Sequence, residues 1–335
     1  MGFMKIAILG AGAWGTALAI SLTVNSDSRH KIILWTKDPD HLAELVLHHT
    51  NRRFLPDFPL PDSLQLTSDL NVAVEAELAL IVVPTAGLRE TLRAIIACGK
   101  AVPVIWGGKG FEAQSAKLPY EVAQEEYAGV APYGVLSGPS FAQEVAQGLP
   151  AALTLASRDE EFSKNTAAQL HTSRLRVYSS NDIIGVETGG AIKNVITIAV
   201  GISDGMGLGY NARAALITRG LAEISRLGLK LGGNMETFMG LTGVGDLMLT
   251  CTGDLSRNRQ VGLMLAAGKS LPDILRELGH IAEGVYTARE VLKLSQELDV
   301  EMPITQAVCS ILHDGVSAKM ALERLLNREP KAESL

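Results

Sequence analysis

Short apolar, β-branched runs alternate with stretches of helical periodicity through the first half of the chain, and this alternation stops near Asn181. Met4–Leu9, Ile32–Trp35, Leu78–Val83, Val102–Trp106, Tyr133–Ser137, Ala152–Ala156 and Leu175–Tyr178 predict strands. Strands separated by helical stretches predict a parallel sheet with crossover helices. Ala79–Val83 has no polar alternation, so burial on both faces is expected, and Pro84 ends the run. Beyond 181 the apolar residues recur three and four apart, as in Arg213–Ile224. Ile183–Ser203, Asn211–Leu227, Asn258–Ala267, Leu271–Leu278, Gly284–Leu298 and Ile304–His313 predict helices. The last residues, Asn327–Leu335, are polar and are expected to fray.

Directly behind the first apolar run stands Gly10-Ala-Gly12-Ala13-Trp14-Gly15, followed by the helical stretch Thr16–Leu22. A strand running into a glycine turn that opens a helix is the arrangement that binds a dinucleotide. Gly10 permits the turn, Gly12 lets backbone approach a pyrophosphate, and Gly15 lets helix and strand pack closely. The free N–H groups and partial positive charge of the helix N-terminus face the phosphates. The pattern therefore predicts an α/β Rossmann-type amino-terminal domain over 1–182, followed by an all-helical carboxyl-terminal domain over 183–330. No flexible linker marks the join, so the two domains are expected to pack along a broad cleft that holds a ligand.

Composition narrows the function classes. A net charge of −6 argues against a nucleic-acid surface, which needs a basic patch. Cys98, Cys251 and Cys309 are odd in number, far apart and without metal-like spacing, so reduced thiols in a cytoplasm are expected. Glycine, proline or charge interrupts each apolar run, so none is expected to reach the ~18 residues that insert in a membrane. The amino-terminal apolar stretch runs into the glycine turn rather than a small-residue cleavage site, unlike a signal peptide.

Several residues carry candidate chemistry. After the second strand come Lys37 and Asp38; the lysine can meet a 2′-phosphate, as in NADPH, whereas the aspartate can rotate in to serve NADH. Lys109, between Gly108 and Gly110, follows a strand end, where open parallel sheets bind ligands; a plain turn lysine is the alternative. Ser140, in Ser137-Gly138-Pro-Ser140-Phe-Ala142, can donate to a phosphate or hydroxyl, or can cap a helix over Phe141–Gln147.

Lys193 is the single charge inside an apolar helix, on one face with Gly190, Asn194 and Thr197. Burial lowers a lysine pKa toward neutrality, which suits a general base; a structural ion pair with Glu187 or Asp246 is the alternative. Asp246 ends a glycine-rich run and reads as an N-cap. Ser256-Arg257-Asn258 opens a helix, which makes either an anion site or a cap beside a surface arginine. Glu283 starts the next helix, where it complements the dipole.

Taken together, GAGAWGTALA, GGKG, SGPSFA, GVETGGAIKNVITIAVGISDG, NARAALITRGLAEI, GLTGVGDLMLTCTGDLSRNRQVG and AEGVYTA resemble the bacterial NAD(P)-dependent glycerol-3-phosphate dehydrogenases, from Met4 to about Leu326. The resemblance implies an enzyme that interconverts sn-glycerol 3-phosphate and dihydroxyacetone phosphate by hydride transfer with NADPH or NADH, supplying glycerol 3-phosphate for phospholipids. It implies Lys193 as proton acceptor. It implies substrate contacts from Lys109, Gly138, Ser140, Asp246, Ser256, Arg257 and Asn258. Cofactor contacts are implied for Gly10, Gly12, Ala13, Trp14, Gly15, Lys37, Lys109, Ala142, Arg257, Ile281 and Glu283. Ala13 replaces the serine or asparagine often found there, which removes one side-chain bond and keeps the backbone contact. The expected assembly is a homodimer in the cytoplasm, with a small phosphate compound as partner. Two rivals are a β-hydroxyacid dehydrogenase acting on a carboxylate and a dinucleotide sensor without turnover.

Overall fold

A computed structural model of the chain describes residues 3–25, 30–279, 282–327 and 329. It divides into two compact units, one of residues 1–108 and 119–183, the other of residues 109–118 and 184–335. The segment 109–118 thus belongs with the helical unit rather than with the strands that flank it in sequence.

Among the described residues the first unit has ten strands: β1 Met4–Leu9, β2 His30–Trp35, β3 Thr50–Asn51, β4 Leu55–Pro59, β5 Gln65–Thr67, β6 Leu78–Ile81, β7 Val104–Trp106, β8 Tyr133–Ser137, β9 Ala151–Ala156 and β10 Leu175–Ser180. Its helices are α1 Ala13–Asn25, α2 Pro39–His48, α3 Leu70–Ala73, α4 Leu88–Ala97, α5 Pro119–Glu126, α6 Ala142–Ala146 and α7 Glu160–Leu170. Eight strands form one sheet in the order β10-β9-β8-β7-β6-β1-β2-β5. The chain leaves β1 toward β2 and β5, then returns to β6 on the other side of β1. That reversal makes a crevice outside the carboxyl ends of β1 and β6, where such sheets bind ligands. Ile6–Leu9 and Leu78–Ile81 are buried, because helices cover both faces of a central parallel strand.

The sheet is not wholly parallel: β8 and β9 run antiparallel. Their connection holds only the five-residue α6. Such a helix rises about 7.5 Å, against about 17 Å for a five-residue strand, so it cannot carry the chain back along the sheet. The two-residue β3, the three-residue β5 and the β3–β4 hairpin escape a periodicity reading because each is too short to show a period. Ser140 does not cap α6. Phe141 takes the cap position without a side-chain bond, and the Ser140 hydroxyl donates to the Gly138 carbonyl at 2.9 Å.

The second unit is helical: α8 Ile183–Gly205, α9 Gly209–Lys230, α10 Met235–Phe238, α11 Asp246–Thr252, α12 Arg257–Ala266, α13 Leu271–Leu278, α14 Glu283–Glu297, α15 Pro303–His313 and α16 Ala318–Leu326. A π-helical turn, Leu241–Gly245, leads into α11. Its N-cap is Gly245, so Asp246 lies inside the first turn and its carboxylate is released for other work. Ser256 does cap α12, accepting from the Arg259 N–H at 3.3 Å.

Among the described residues, α8 alone is long and apolar enough to cross a membrane, contrary to the expectation that no run reaches that length; 89% of its most apolar window is buried, which makes it a core helix. A charged cap sits elsewhere in this core. Glu223 of α9 accepts from the Ile304 N–H at 2.6 Å, the Thr305 N–H at 3.1 Å and the Thr305 hydroxyl at 2.9 Å, which satisfies donors at the start of α15. Burial pushes its carboxyl up to about 7.

Candidate active site

The glycine turn after β1 has the shape that a pyrophosphate needs. Gly10 takes φ +123°, where a side chain is strained, and a Cβ there would stand 3.0 Å from the Val82 backbone. Gly12 faces open space, with nothing within 4 Å of a built Cβ, beside the first turn of α1. A side chain at Gly15 would collide with the Gly10 carbonyl. The turn therefore fits a dinucleotide: closed where strand and helix pack, open where phosphate oxygens meet N–H groups.

Trp14 stands beside Gly107, where a Cβ would lie 3.3 Å from the indole nitrogen. Ala13 opens α1. Ala142 opens α6 and packs on the sheet core. Gly138 and Ser140 follow the carboxyl end of β8.

A buried polar relay underlies this turn, and the sequence reading did not anticipate it. Asn51, fully buried, donates to the Ala11 carbonyl at 2.8 Å and the Thr16 hydroxyl at 2.7 Å. Because Ala11 O only accepts, the Asn51 amide nitrogen faces it, and Oδ1 accepts from His41 Nε2 at 3.1 Å. His41 Nδ1 lies 3.3 Å from the Thr36 hydroxyl, just past β2.

In the second unit, Lys193 projects from the middle of α8 and is 5% exposed. Its ammonium donates to Asp246 Oδ1 at 2.5 Å and to the Thr250 hydroxyl at 2.6 Å. Asp246, 1% exposed, uses its other oxygen to accept from Lys109 Nζ at 2.8 Å. One buried carboxylate thus bridges two ammonium groups. Close approach of backbone builds the cluster: a Cβ on Gly189 of α8 would stand 2.6 Å from the Thr242 carbonyl of the π turn.

Burial pulls the Lys193 pKa down; Asp246 pushes it back up and Lys109 opposes that, leaving it at about 8. For Asp246, burial acts upward, but the two ammonium groups outweigh it and hold the carboxyl below its ordinary value. The ion pair with Asp246 and the depressed lysine pKa are therefore two aspects of one arrangement.

A second chain of contacts runs from Lys109 to the start of α12. The Lys109 N–H donates to Glu283 Oε2 at 3.1 Å, and its carbonyl accepts from Asn194 Nδ2 at 3.0 Å. Asn194 Oδ1 accepts from Asn258 Nδ2 at 3.0 Å, and Asn258 Oδ1 accepts from the Gly284 N–H at 3.1 Å. Arg257 is the exposed first residue of α12, above the Ser256 cap. Asp204, at the end of α8, holds this helix start by accepting from Arg213 Nε at 2.8 Å and Arg259 Nε at 3.0 Å.

The helical unit thus gathers Lys109, Lys193, Asp246, Ser256, Arg257, Asn258 and Glu283. The sheet unit gathers Gly10, Gly12, Ala13, Trp14, Gly15, Gly138, Ser140 and Ala142, with exposed Lys37 past the end of β2. Ile281 lies outside the described residues. Asp38 caps α2, accepting from the Asp40 N–H at 2.9 Å. Thr250 was missed, although its position four residues after Asp246 on a helix puts both on one face. Asp204 and Arg259 were also missed, since only the tertiary fold brings them together.

Residues 5–163 match the family model described as NAD-dependent glycerol-3-phosphate dehydrogenase N-terminus, and residues 182–323 match its C-terminus counterpart. A Nitrosospira multiformis protein named glycerol-3-phosphate dehydrogenase [NAD(P)+] is 73% identical over 331 residues, covering 98% of this chain and 99% of its own. A Nitrosomonas europaea protein of the same name is 61% identical over 332 residues, covering 99% and 100%. Among solved structures, glycerol-3-phosphate dehydrogenase from Coxiella burnetii superposes with a TM-score of 0.92 at 44% identity, covering 97% of this chain and 99% of that one.

Proposed function

The chain belongs to the NAD-dependent glycerol-3-phosphate dehydrogenase family, and from that premise we propose how its residues divide the work. It is an oxidoreductase that interconverts glycerol 3-phosphate and dihydroxyacetone phosphate with NADH or NADPH. The observation that carries the assignment of roles is the buried cluster in which Asp246 joins Lys193 to Lys109.

Lys193 is the proton-transfer group. In the oxidative direction its neutral amine takes the C2 hydroxyl proton and becomes an ammonium ion. In the reductive direction that ammonium hydrogen-bonds the ketone oxygen and returns the proton to it. A nicotinamide dinucleotide held at the Gly10–Gly15 turn would supply the hydride acceptor for oxidation and the hydride donor for reduction.

Asp246 stabilises the ammonium and Thr250 fixes its direction. Burial is the main cause that lowers the Lys193 pKa to about 8, and Lys109 adds to it while contributing positive potential toward the developing alkoxide. Arg257, with the N-terminus of α12 and the Ser256–Asn258 segment, takes the phosphate. The Asn258–Asn194–Lys109 relay ties that anchor to the base, since Asn194 and Lys193 are neighbours on α8. Gly138 and Ser140 also contact the substrate.

Gly10, Gly12, Ala13, Trp14 and Gly15 hold the dinucleotide, together with Lys37, Lys109, Ala142, Arg257, Ile281 and Glu283. The product serves phospholipid assembly in the cytoplasm, a reading supported by the free thiols Cys98, Cys251 and Cys309. The assembly is a homodimer, and exposed Leu208, Tyr210, Met248 and Leu255 offer apolar surface for it.

The test is cofactor oxidation with dihydroxyacetone phosphate, unphosphorylated dihydroxyacetone and a 2-keto acid as parallel substrates. Turnover confined to the phosphorylated ketone is expected. Preference for the carboxylate would reverse the phosphate assignment, and no turnover with any would leave a sensor. Sedimentation at micromolar concentration reads the assembly.

A further inference from the structure

We propose that Arg53 sets this chain's discrimination between NADPH and NADH, by engaging the carboxylate that would take a ribose hydroxyl and by presenting a guanidinium where a 2′-phosphate lands. The inference rests on the reading of the glycine turn as a dinucleotide site. In sheets of this kind, an acidic residue past the second strand hydrogen-bonds the 2′-hydroxyl of NAD, and a nearby arginine accommodates the 2′-phosphate of NADP. Here β2 ends at Trp35 and the first acid after it is Asp38.

Both carboxylate oxygens of Asp38 are occupied. Oδ1 accepts from the Asp40 N–H at 2.9 Å as the cap of α2, and Oδ2 accepts from Arg53 Nη1 at 2.7 Å. Arg53 completes its fork on Glu44, with Nε to Oε2 at 2.8 Å and Nη2 to Oε1 at 2.5 Å. This hydrogen bonding holds the Asp38 carboxyl below its ordinary pKa, so it stays ionised and bound. The Arg53 side chain keeps 36% of its surface in solvent, which leaves the guanidinium within reach of a ligand.

Arg53 is not a drifting surface residue. It stands two positions after Asn51, which is clamped to Ala11 of the glycine turn and to Thr16 of α1. His41 joins the same asparagine, and the Thr36 hydroxyl accepts from the Asp38 N–H at 3.4 Å. The hairpin that carries Arg53 is therefore registered on the turn that takes the pyrophosphate.

Charge makes the same point. Around the end of β2, Lys37 and Arg53 stand among Asp38, Asp40 and Glu44. Without Arg53 that patch is net negative and repels a 2′-phosphate, while Asp38 is free to accept from a ribose hydroxyl. Arg52, next in the hairpin, lies against His48 at 3.3 Å instead, so it supplies a control of equal charge.

The test uses calorimetric titration with adenosine 2′,5′-bisphosphate and with 5′-AMP, which needs no turnover, alongside kcat/KM for NADPH and NADH. Arg53→Ala and Arg53→Gln are expected to weaken the bisphosphate roughly tenfold, the scale of an exposed charge-assisted contact, and to change 5′-AMP less than about twofold. The NADPH-to-NADH ratio of kcat/KM should fall in parallel. Adding Asp38→Ala to Arg53→Ala should recover part of the lost bisphosphate affinity, and Arg52→Ala should leave the two-ligand ratio within about twofold of wild type. An unchanged affinity ratio in Arg53→Ala, or an equal fall in Arg52→Ala, would overturn the proposal. Failure of the wild type to bind either nucleotide would instead overturn the dinucleotide reading beneath it.

Discussion

Lys193 and Asp246 lie 53 positions apart in the chain and meet at 2.5 Å, both buried, with Lys109 on the far oxygen of the same carboxylate. Two like charges share one counter-ion in a dry site. The lysine is left with a weaker hold on its proton than it has in water, and with a fixed direction in which to give it up.

In the proposed mechanism, replacing Lys193 with Met removes the proton-transfer group while keeping much of its apolar stem. Turnover should fall by about 10²–10⁴-fold, the usual range for loss of a general acid–base. The dissociation constant for NADH, followed by fluorescence, should stay within a few-fold of wild type. Turnover near the wild-type value would remove Lys193 from its role.

The pH dependence follows from the value near 8. If oxidation of glycerol 3-phosphate uses the neutral amine as proposed, its kcat/KM should rise with pH and level off above that value. Reduction of the ketone uses the ammonium, so its kcat/KM should decline as pH rises through the same value. Asp246 favours the charged lysine, so Asp246→Asn should move both breaks to lower pH. A shift upward in that variant would contradict the arrangement.

Arg257→Ala should raise KM for dihydroxyacetone phosphate by roughly 30- to 150-fold, equivalent to the loss of about 2–3 kcal/mol from a charge-assisted hydrogen bond. KM for the cofactor should change far less. Steady-state kinetics with both substrates varied decides it, and equal loss toward unphosphorylated dihydroxyacetone would count against a phosphate contact.

Stability offers a separate check at Glu223. Its folded-state pKa of about 7 lies above that of an unfolded glutamate, so its protonation favours folding. That contribution is fully present below the unfolded pKa and is lost as pH rises through about 7. Chemical denaturation of wild type and Glu223→Gln at pH 5 and pH 8 isolates it. The stability of wild type relative to the variant should be greater at pH 5 than at pH 8, and an unchanged difference would show that Glu223 does not titrate in this range.

Periodicity made the sheet and the long helices legible, because buried strands such as Leu78–Ile81 and a core helix such as α8 imprint long apolar patterns. The antiparallel β9 was not legible, since strand direction depends on how far a connection reaches rather than on the strand's own residues. Lys193 stood out as a charge in an apolar helix, and Ser256 as a cap. Asp246 was legible as an ion-pair partner for Lys193 but not in its local role: Gly245 takes the cap position, and a π turn has no simple sequence period. Asn194 was placed on the correct face without a role, for its partners Lys109 and Asn258 are 85 and 64 positions away. Arg53 was invisible for a related reason, since an exposed arginine in a hairpin acquires meaning only when Asn51 fixes that hairpin on the glycine turn.

The carboxylate of Asp246 has a consequence for what happens after the proton has left. A buried acid with one cationic neighbour is stranded each time that neighbour becomes neutral, and the surroundings must then rearrange to solvate it. Here Lys109 pairs with the other oxygen of Asp246 at 2.8 Å, so in the proposed mechanism a discharge of Lys193 would take the three groups from one excess positive charge to electroneutrality. It never exposes a lone anion to a dry interior. In the proposed mechanism the shared carboxylate would thus reduce the rearrangement asked of its surroundings between one round and the next.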